Sequence, residues 1–261
     1  GAHRKQIPVY GYGMMLRPEP LEDLTARFKE EARAIKDMGF VATKMKVGLG
    51  PRADIKLAEA VRHSIGDDFR FMVDANHCYT TSDAFTVGRA LEDLGAYWFE
   101  EPIAPEDLQG YRELRAGLNV NISGGEAEFN RWGWRGLLES RGLDIAQPEV
   151  CALGGISEYL RVLALCHAHF TPVVNHVWGS AIAVATNMHL LASMPDLPGG
   201  MNPWEPMLEF DTTDNKFRDE LLETPLEIQA QVAQTNGYIA LPEGPGLGIT
   251  PDRDFLQYFA L

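Results

Sequence analysis

Short apolar runs alternate with longer amphipathic stretches along most of the chain. The runs are rich in β-branched and aromatic residues, and they predict strands at 9–13, 41–47, 69–75, 96–100, 119–125, 144–148, 171–175 and, more weakly, 206–210. Between them, apolar positions three or four residues apart predict helices. In the first of these helices, Leu24, Phe28, Ala32 and Ile35 form one apolar stripe. A strand followed by a helix, repeated in this way, requires a parallel sheet.

The number of repeats separates a closed barrel from an open sheet. Eight strands within about 210 residues favour closure. Gly11 and Gly13 flank a single tyrosine without a third glycine, so a dinucleotide-binding loop is only weakly indicated. The rhythm stops near the end of the chain. We therefore predict an α/β barrel over residues 1–211 and a separate C-terminal segment over residues 212–261.

Composition narrows the class of partner. The formal net charge of −14 argues against nucleic acid and against anionic membranes, which bind basic surfaces. No apolar run approaches the roughly 20 residues of a membrane span, and the N-terminus lacks the apolar core of a signal peptide. Cys78, Cys151 and Cys166 are odd in number and lack metal-ligand spacing, which predicts a reducing, cytoplasmic location.

Three acids stand where predicted strands end, the place where a parallel barrel carries its catalytic groups. Asp74, Glu100 and Glu126 are evenly spaced, since 100 − 74 and 126 − 100 are both 26. Equivalent positions on successive strands converge, and three close carboxylates repel each other unless a cation lies between them. Oxygen ligands favour Mg²⁺, with Mn²⁺ second. The alternative is that each acid separately caps a helix or faces solvent.

Candidate bases occur at the ends of two other predicted strands. Lys44 and Lys46 are two residues apart in one strand, so both side chains point to the same face. Mutual repulsion and partial burial would lower their pKa values and produce a general base, unless both simply extend to solvent. His176 follows an apolar run, and Glu149 ends the preceding strand unit. A carboxylate beside a histidine raises its pKa, so the pair predicts an acid/base dyad rather than a core histidine.

Short motifs, in order along the chain, resemble those of the enolase superfamily and, within it, the mandelate racemase group. They are Lys44-Met45-Lys46, Val73-Asp74-Ala75-Asn76, Phe99-Glu100-Glu101-Pro102, Gly125-Glu126, Gln147-Pro148-Glu149, Gly154-Gly155-Ile156 and Asn175-His176. The resemblance implies a modified TIM barrel, (β/α)7β. It also implies an N-terminal α+β capping domain that is absent from this chain and against which residues 212–261 would pack.

The resemblance implies roles for the metal ligands and the lysines. Asp74, Glu100 and Glu126 would bind Mg²⁺. Lys46 would be the base on one face of the substrate. Lys44 would contact the substrate carboxylate and lower the pKa of Lys46.

Further implied roles concern the opposite face of the substrate. His176, paired with Glu149, would be the second acid/base, although the group usually has an aspartate where this chain has Glu149. Glu209, in its protonated form, would hydrogen-bond the substrate carboxylate. Glu205 is an alternative for that role.

These roles predict an enzyme that removes a proton next to a carboxylate through an enediolate. The expected pocket residues Asn76, His77, Asn175 and Trp178 favour a sugar acid, which would be dehydrated to a 2-keto-3-deoxy acid. A racemase or epimerase acting on a 2-hydroxy acid or an amino-acid derivative is the alternative, and a non-catalytic binding barrel is less favoured. The expected partners are a small carboxylate and further copies of the same chain.

Overall fold

The computed structural model describes residues 1–196 and 204–259. Its strands are β1 (Gln6–Tyr12), β2 (Ala42–Lys46), β3 (Arg70–Asp74), β4 (Trp98–Glu100), β5 (Asn121–Gly124), β6 (Ile145–Ala146), β7 (Leu208–Asp211) and β8 (Tyr238–Ala240). Its helices are α1 (Leu21–Asp37), α2 (Pro51–Ile65), α3 (Thr81–Asp93), α4 (Leu108–Gly117), α5 (Asn130–Ser140), α6 (Val150–Leu153), α7 (Ile156–Ala168), α8 (Ala181–Ser193), α9 (Lys216–Asp219), α10 (Ile228–Thr235) and α11 (Arg253–Tyr258).

The parallel strands follow one another in the order β6-β5-β4-β3-β2-β1-β7. A parallel bridge between Ala146 and Val173 adds an eighth parallel strand position, the seventh in chain order, beside β6. The ring closes between that position and β7, where the Val177 amide donates to Glu209 Oε2 at 2.7 Å and Trp204 Nε1 donates to the Val173 carbonyl at 3.3 Å. The architecture is the α/β barrel that the sequence predicts.

The strand predicted at 171–175 is only the single bridge at Val173 in the described residues. Its neighbour β6 has two residues, because Pro148 follows Gln147 and has no amide hydrogen to donate. The two positions still exchange hydrogen bonds, since the Val174 amide donates to the Ala146 carbonyl at 3.0 Å. The barrel therefore has little ladder pairing at this point.

The barrel interior contains an apolar layer with a polar layer directly above it. The buried apolar layer consists of Tyr10, Ala42, Met72, Trp98, Ile145, Val174 and Met207. Side chains alternate along a strand, so residues two positions further on also point inward. Those residues are Tyr12, Lys44, Asp74, Glu100, Gln147, His176 and Glu209. The apolar layer fills the barrel below the polar residues, and the polar residues lie at the carboxyl ends of the strands.

The helices pack around the sheet as their apolar stripes predict. Leu24, Phe28, Ala32 and Ile35 of α1 are all buried. Two helices begin at side-chain caps, where Thr80 accepts from the Asp83 amide at 3.2 Å and Asp107 from the Gly110 amide at 2.8 Å. In the described part of the chain, no helix is both long and apolar enough to cross a membrane.

The C-terminal segment does not continue the alternation of parallel strands and helices, although β8 joins the sheet. This strand pairs antiparallel with the start of β1, where Ile7 lies opposite Ile239. A turn at Asn236-Gly237 precedes it, with φ angles of 54° and 96°. The packing of residues 212–261 against a capping domain stays a prediction.

Candidate active site

Strand register places the candidate acids at one level. Lys46 lies opposite Asp74, and Asp74 lies opposite Glu100, in successive parallel ladders. Glu126 follows β5 by two residues and reaches the same point from a loop. One carboxylate oxygen from each of the three acids lies within 4.8 Å of the other two. The structure thus brings together the three acids whose even spacing predicts a metal site.

Lys44 lies at the bottom of this cluster and is 1% exposed. Its Nζ is 2.6 Å from Glu100 Oε1, 2.5 Å from Glu209 Oε1 and 3.4 Å from Asp74 Oδ2. Burial alone would lower the pKa of Lys44, but the charges of Glu100 and Glu209 outweigh it and hold the pKa well above its usual value. The lowered pKa expected from two neighbouring lysines is therefore wrong for Lys44, because acids surround it.

Lys46 lies higher, at the edge of the barrel mouth, with 18% of its side chain exposed. Its Nζ is 2.5 Å from Asp74 Oδ2 and donates to Asn76 Oδ1 at 2.8 Å. Asn76, a predicted pocket residue, therefore lies directly against the predicted base. Both lysines share Asp74, as their common strand face requires.

Asp74 and Glu100 are adjacent and fully buried, and their pKa values move apart. Burial opposes ionisation of Asp74, but Lys44 and Lys46 outweigh it and hold its pKa well below the usual range. Burial, reinforced by the charge of Asp74, raises the pKa of Glu100 well above its usual value. A shared divalent cation would offset both penalties, and these hard oxygen donors fit Mg²⁺.

Glu100 has two further partners to which the sequence assigns no role. Its Oε2 accepts from Trp98 Nε1 at 2.9 Å and from Gln147 Nε2 at 2.8 Å. Both side chains fix the orientation of this carboxylate. The available signal was their position, since Trp98 precedes Glu100 by one strand period and Gln147 precedes Glu149 within one motif.

His176 and Glu149 form the pair that the sequence predicts. His176 Nδ1 is 2.8 Å from Glu149 Oε2, and His176 Nε2 is 3.2 Å from Glu126 Oε2. Glu149 is held in turn by the Cys151 amide, which donates to its Oε1 at 2.9 Å. Burial would lower the pKa of His176, but Glu209, Glu149 and Glu126 outweigh it and raise the pKa to about 9. The imidazolium form is therefore favoured near neutral pH.

Glu209 and Glu205 lie at opposite ends of the barrel. Glu209 is buried between Lys44 and the Val177 amide. Burial would raise its pKa, but Lys44 and His176 outweigh it and lower the pKa, so the arrangement favours the carboxylate over the expected protonated form. Glu205 lies near Tyr238 Oη at 3.3 Å, beside the strand starts. Glu205 is therefore wrong as an alternative to Glu209.

The remaining pocket candidates are His77, Trp178 and Asn175, and they do not all lie in the pocket. His77 Nε2 contacts the buried carboxylate of Glu101, and Trp178, which closely follows His176 in the chain, is 65% exposed. Asn175 is fully buried, where it accepts from the Tyr159 hydroxyl and donates to Asn187 Oδ1 at 2.7 Å. Asn175 is therefore a core residue, and its prediction as a pocket residue is wrong because it points away from the barrel axis.

Strained backbone occurs beside the acid cluster. Asn76, His77 and Glu101 have φ angles of 39°, 66° and 40°, which is uncommon for residues other than glycine. The His77 amide donates to the Glu101 carbonyl at 2.8 Å, so the two strained loops support each other. Such strain persists where surrounding structure enforces it, and it is typical of active sites.

Residues 27–255 match the Enolase C-terminal domain-like family. The chain belongs to this family. It is 38% identical to D-galactarolactone cycloisomerase of Agrobacterium fabrum over 100% of this chain and 67% of that protein. It is 34% identical to arabinonate dehydratase of Saccharolobus solfataricus over 91% of this chain and 60% of that protein. The curated relatives are thus longer than this chain.

Solved structures give the same result. The 3,6-anhydro-D-galactonate cycloisomerase of Zobellia galactanivorans superposes with a TM-score of 0.86 at 37% identity, over 99% of this chain and 67% of that one. A racemase from Streptomyces coelicolor with bound magnesium superposes with a TM-score of 0.82 at 27% identity, over 100% and 65%. The fold described above is therefore that of the mandelate racemase and enolase superfamily, which includes sugar acid dehydratases, cycloisomerases and racemases.

Proposed function

We propose that the protein removes the proton next to the carboxylate of a sugar acid and expels the oxygen on the neighbouring carbon. The observation that carries this proposal is the pair of candidate acid/base groups that flank one acid cluster. Lys46 Nζ approaches Asp74 at 2.5 Å, and His176 Nε2 approaches Glu126 at 3.2 Å. Two such groups, held on different strands, suit removal of one proton and delivery of another.

Mg²⁺ is the cofactor that the donor set supports. Asp74, Glu100 and Glu126 would hold it, and the bound ion would supply positive charge against the negative charge that develops on the substrate carboxylate. The magnesium in the related racemase supports this choice. Mn²⁺, with similar ligand preferences, is the second choice.

The side chains of this chain divide the proton transfers. Lys46, in its neutral form, would accept the α-proton at Nζ. His176 favours the imidazolium form and would donate its Nε2 proton to the departing oxygen, while Glu149 holds Nδ1. Lys44 carries a retained positive charge beneath the cluster and would contact the substrate carboxylate, while Glu209, 2.5 Å from Lys44 Nζ, would hold that ammonium group in place.

The nature of the departing oxygen decides the type of reaction. A free hydroxyl leaves as water, which is dehydration to a 2-keto-3-deoxy acid. We favour this reaction, with Asn76, His77 and Trp178 as contacts of the polyol. If the same oxygen belongs to a ring, its departure opens the ring without loss of atoms, which is an isomerisation. The similarity to two cycloisomerases favours this as the second candidate.

A panel of sugar acids and their lactones, incubated with the protein and Mg²⁺ in D₂O, tests the proposal by proton NMR. We expect a 2-keto-3-deoxy acid from at least one of them, and loss of that product in Lys46→Ala and His176→Asn. If His176→Asn retained α-proton exchange and Lys46→Ala lost it, Lys46 would be assigned as the base. Inversion of the α-carbon without a keto acid would instead indicate a racemase. Full elimination by both variants would disprove the mechanism.

A further inference from the structure

Asp54 is a buried acid outside the acid cluster. It lies in the first turn of α2 and is 0% exposed, although carboxylates seldom lose all contact with water. Burial of an ionised group is costly unless hydrogen bonds replace its water. The hydrogen-bond donors that replace water around Asp54 therefore indicate what this carboxylate does in the structure.

Four donors satisfy the carboxylate of Asp54. Its Oδ1 accepts from the amides of Gly48 and Leu49, both at 3.1 Å, and its Oδ2 accepts from the Gly50 amide at 2.8 Å. Three successive amides can converge on one group because Gly48 and Gly50 adopt φ angles of 150° and 103°. The fourth donor is the Tyr79 hydroxyl, at 2.7 Å from Oδ2.

The bound amides belong to the loop that begins directly after Lys46. The Val47 amide donates to the Asp74 carbonyl at 2.9 Å, which ends the ladder between β2 and β3. Beyond this bond, the course of residues 48–50 is set by the bonds to Asp54. The direction in which the Lys46 side chain leaves the strand depends on both sides of this junction.

Tyr79 connects the same carboxylate to the next loop. That loop carries Asn76, whose Oδ1 accepts from Lys46 Nζ at 2.8 Å. The Tyr79 amide also donates to the Pro102 carbonyl at 3.2 Å, so the loop after β4 is joined as well. One buried acid thus connects the backbone of Lys46 to the loop that binds the Lys46 ammonium group.

We propose that Asp54 is a positioning residue, which holds the loops after β2 and β3 together and so keeps Lys46 Nζ against Asp74 and Asn76. The functional part of this inference rests on the proposed role of Lys46 as a base. A base displaced by about 1 Å loses up to about a hundredfold in rate, so loops fixed in this way affect turnover without contacting substrate.

The test compares Asp54→Asn and Tyr79→Phe with a matched control, Asp144→Asn. Asp144 also accepts from a backbone amide, that of Ile122 at 2.9 Å, and from a side chain, Arg115 Nε at 2.7 Å, but it lies at the opposite end of the barrel. Tyr79→Phe removes one hydrogen bond and leaves the three amide bonds, so it serves if Asp54→Asn does not fold.

The first readout needs no substrate. Acetylation by an N-hydroxysuccinimide ester is followed by mass spectrometry at Lys46 and at Lys56, an exposed lysine of the same helix as Asp54. We expect a several-fold faster reaction of Lys46 in Asp54→Asn, a smaller increase in Tyr79→Phe, and wild-type rates at Lys56 and in Asp144→Asn. Equal increases at both lysines would indicate general loosening and would overturn the proposal.

The second readout uses the sugar acid that the wild-type protein converts fastest. We expect kcat to fall about tenfold in Asp54→Asn, with KM nearly unchanged, and we expect Asp54→Glu to restore part of it. Wild-type kcat together with wild-type labelling of Lys46 in Asp54→Asn would overturn the inference. If the wild-type protein converts no sugar acid, the proposed function fails, while the labelling result still decides whether Asp54 positions Lys46.

Discussion

Lys44, Asp74 and Glu100 are at most 1% exposed, whereas the side chains of Glu126 and His176 are 22% and 14% exposed. These residues belong to two parts of one site. We call Lys44, Lys46, Asp74 and Glu100 the lysine half, and Glu126, Glu149 and His176 the histidine half. The acids of the lysine half are the more buried, and each lies within 2.6 Å of an ammonium group.

The two halves differ in burial because strand ladders hold the lysine half, whereas a short strand, a single bridge and a loop hold the histidine half. Continuous ladders between β2, β3 and β4 set the level of Lys46, Asp74 and Glu100. The histidine half follows a two-residue strand and a single bridge, and Glu126 comes from a loop. Side-chain hydrogen bonds, such as that between Glu149 and the Cys151 amide, replace the missing ladder. The lysine half should therefore contribute to folding, and the histidine half should respond more to ligands.

The largest expected effect is on stability, from Lys44→Met. The change leaves Glu100 and Glu209 buried without their ammonium partner, and breaking a buried pair costs about 3–5 kcal/mol. Urea unfolding of the metal-free protein measures this loss in the free energy of unfolding. Lys46→Met, which removes a partly exposed ammonium, should cost only about 1 kcal/mol. Equal losses in the two variants would break the distinction between the buried and the exposed parts of the cluster.

Glu126→Gln tests the metal-binding role of the histidine half. We expect Mg²⁺ affinity to fall at least about tenfold, a loss seen even for residues that only support a metal ligand. The free energy of unfolding without metal should change by less than about 1 kcal/mol, because Glu126 is partly exposed. Titration calorimetry with Mg²⁺ measures the affinity. Unchanged affinity would remove Glu126 from the proposed metal site.

The dyad predicts a pH dependence of stability in the metal-free protein. His176 has a folded pKa of about 9, above the value of about 6.5 for an unperturbed histidine. Its contribution is therefore complete below about pH 6.5 and is lost as pH rises toward 9, because the folded state binds the extra proton. Glu149→Gln should flatten this part of the curve, and Glu149→Asp should preserve it. Identical slopes for wild type and Glu149→Gln would contradict the dyad.

The smallest expected effect concerns the residue that joins the halves. Gln147 precedes Glu149 by two residues and donates to Glu100 of the lysine half. Gln147→Leu should lower the free energy of unfolding by about 1 kcal/mol, since Trp98 still donates to the same oxygen. A double-mutant cycle with Glu149→Gln measures the coupling between the halves. Coupling near zero would show that they act independently.

The pattern of the sequence determined the fold and most members of the site. Alternation placed Lys44 and Lys46 on one face, and even spacing placed Asp74, Glu100 and Glu126 at one level, because strand geometry is periodic. The strand prediction that the structure supports least is the one at 171–175, where the described residues form a single bridge. Periodicity describes direction well, but it does not describe how much ladder a short strand retains.

Tertiary structure decided how deeply each side chain of the site is buried, which groups it contacts and whether it is charged. Lys44 and Lys46 look alike in sequence, yet acids surround one of them completely and only partly contact the other. Packing likewise assigned Glu209 to the site and Asn175 to the core, and it brought the Tyr79 hydroxyl, 25 residues away in sequence, to Asp54. Burial and pairing depend on residues distant in sequence, and these two quantities set pKa values. The sequence therefore determined which side chains face the barrel axis, and only the packed barrel decided which of them hold a charge there.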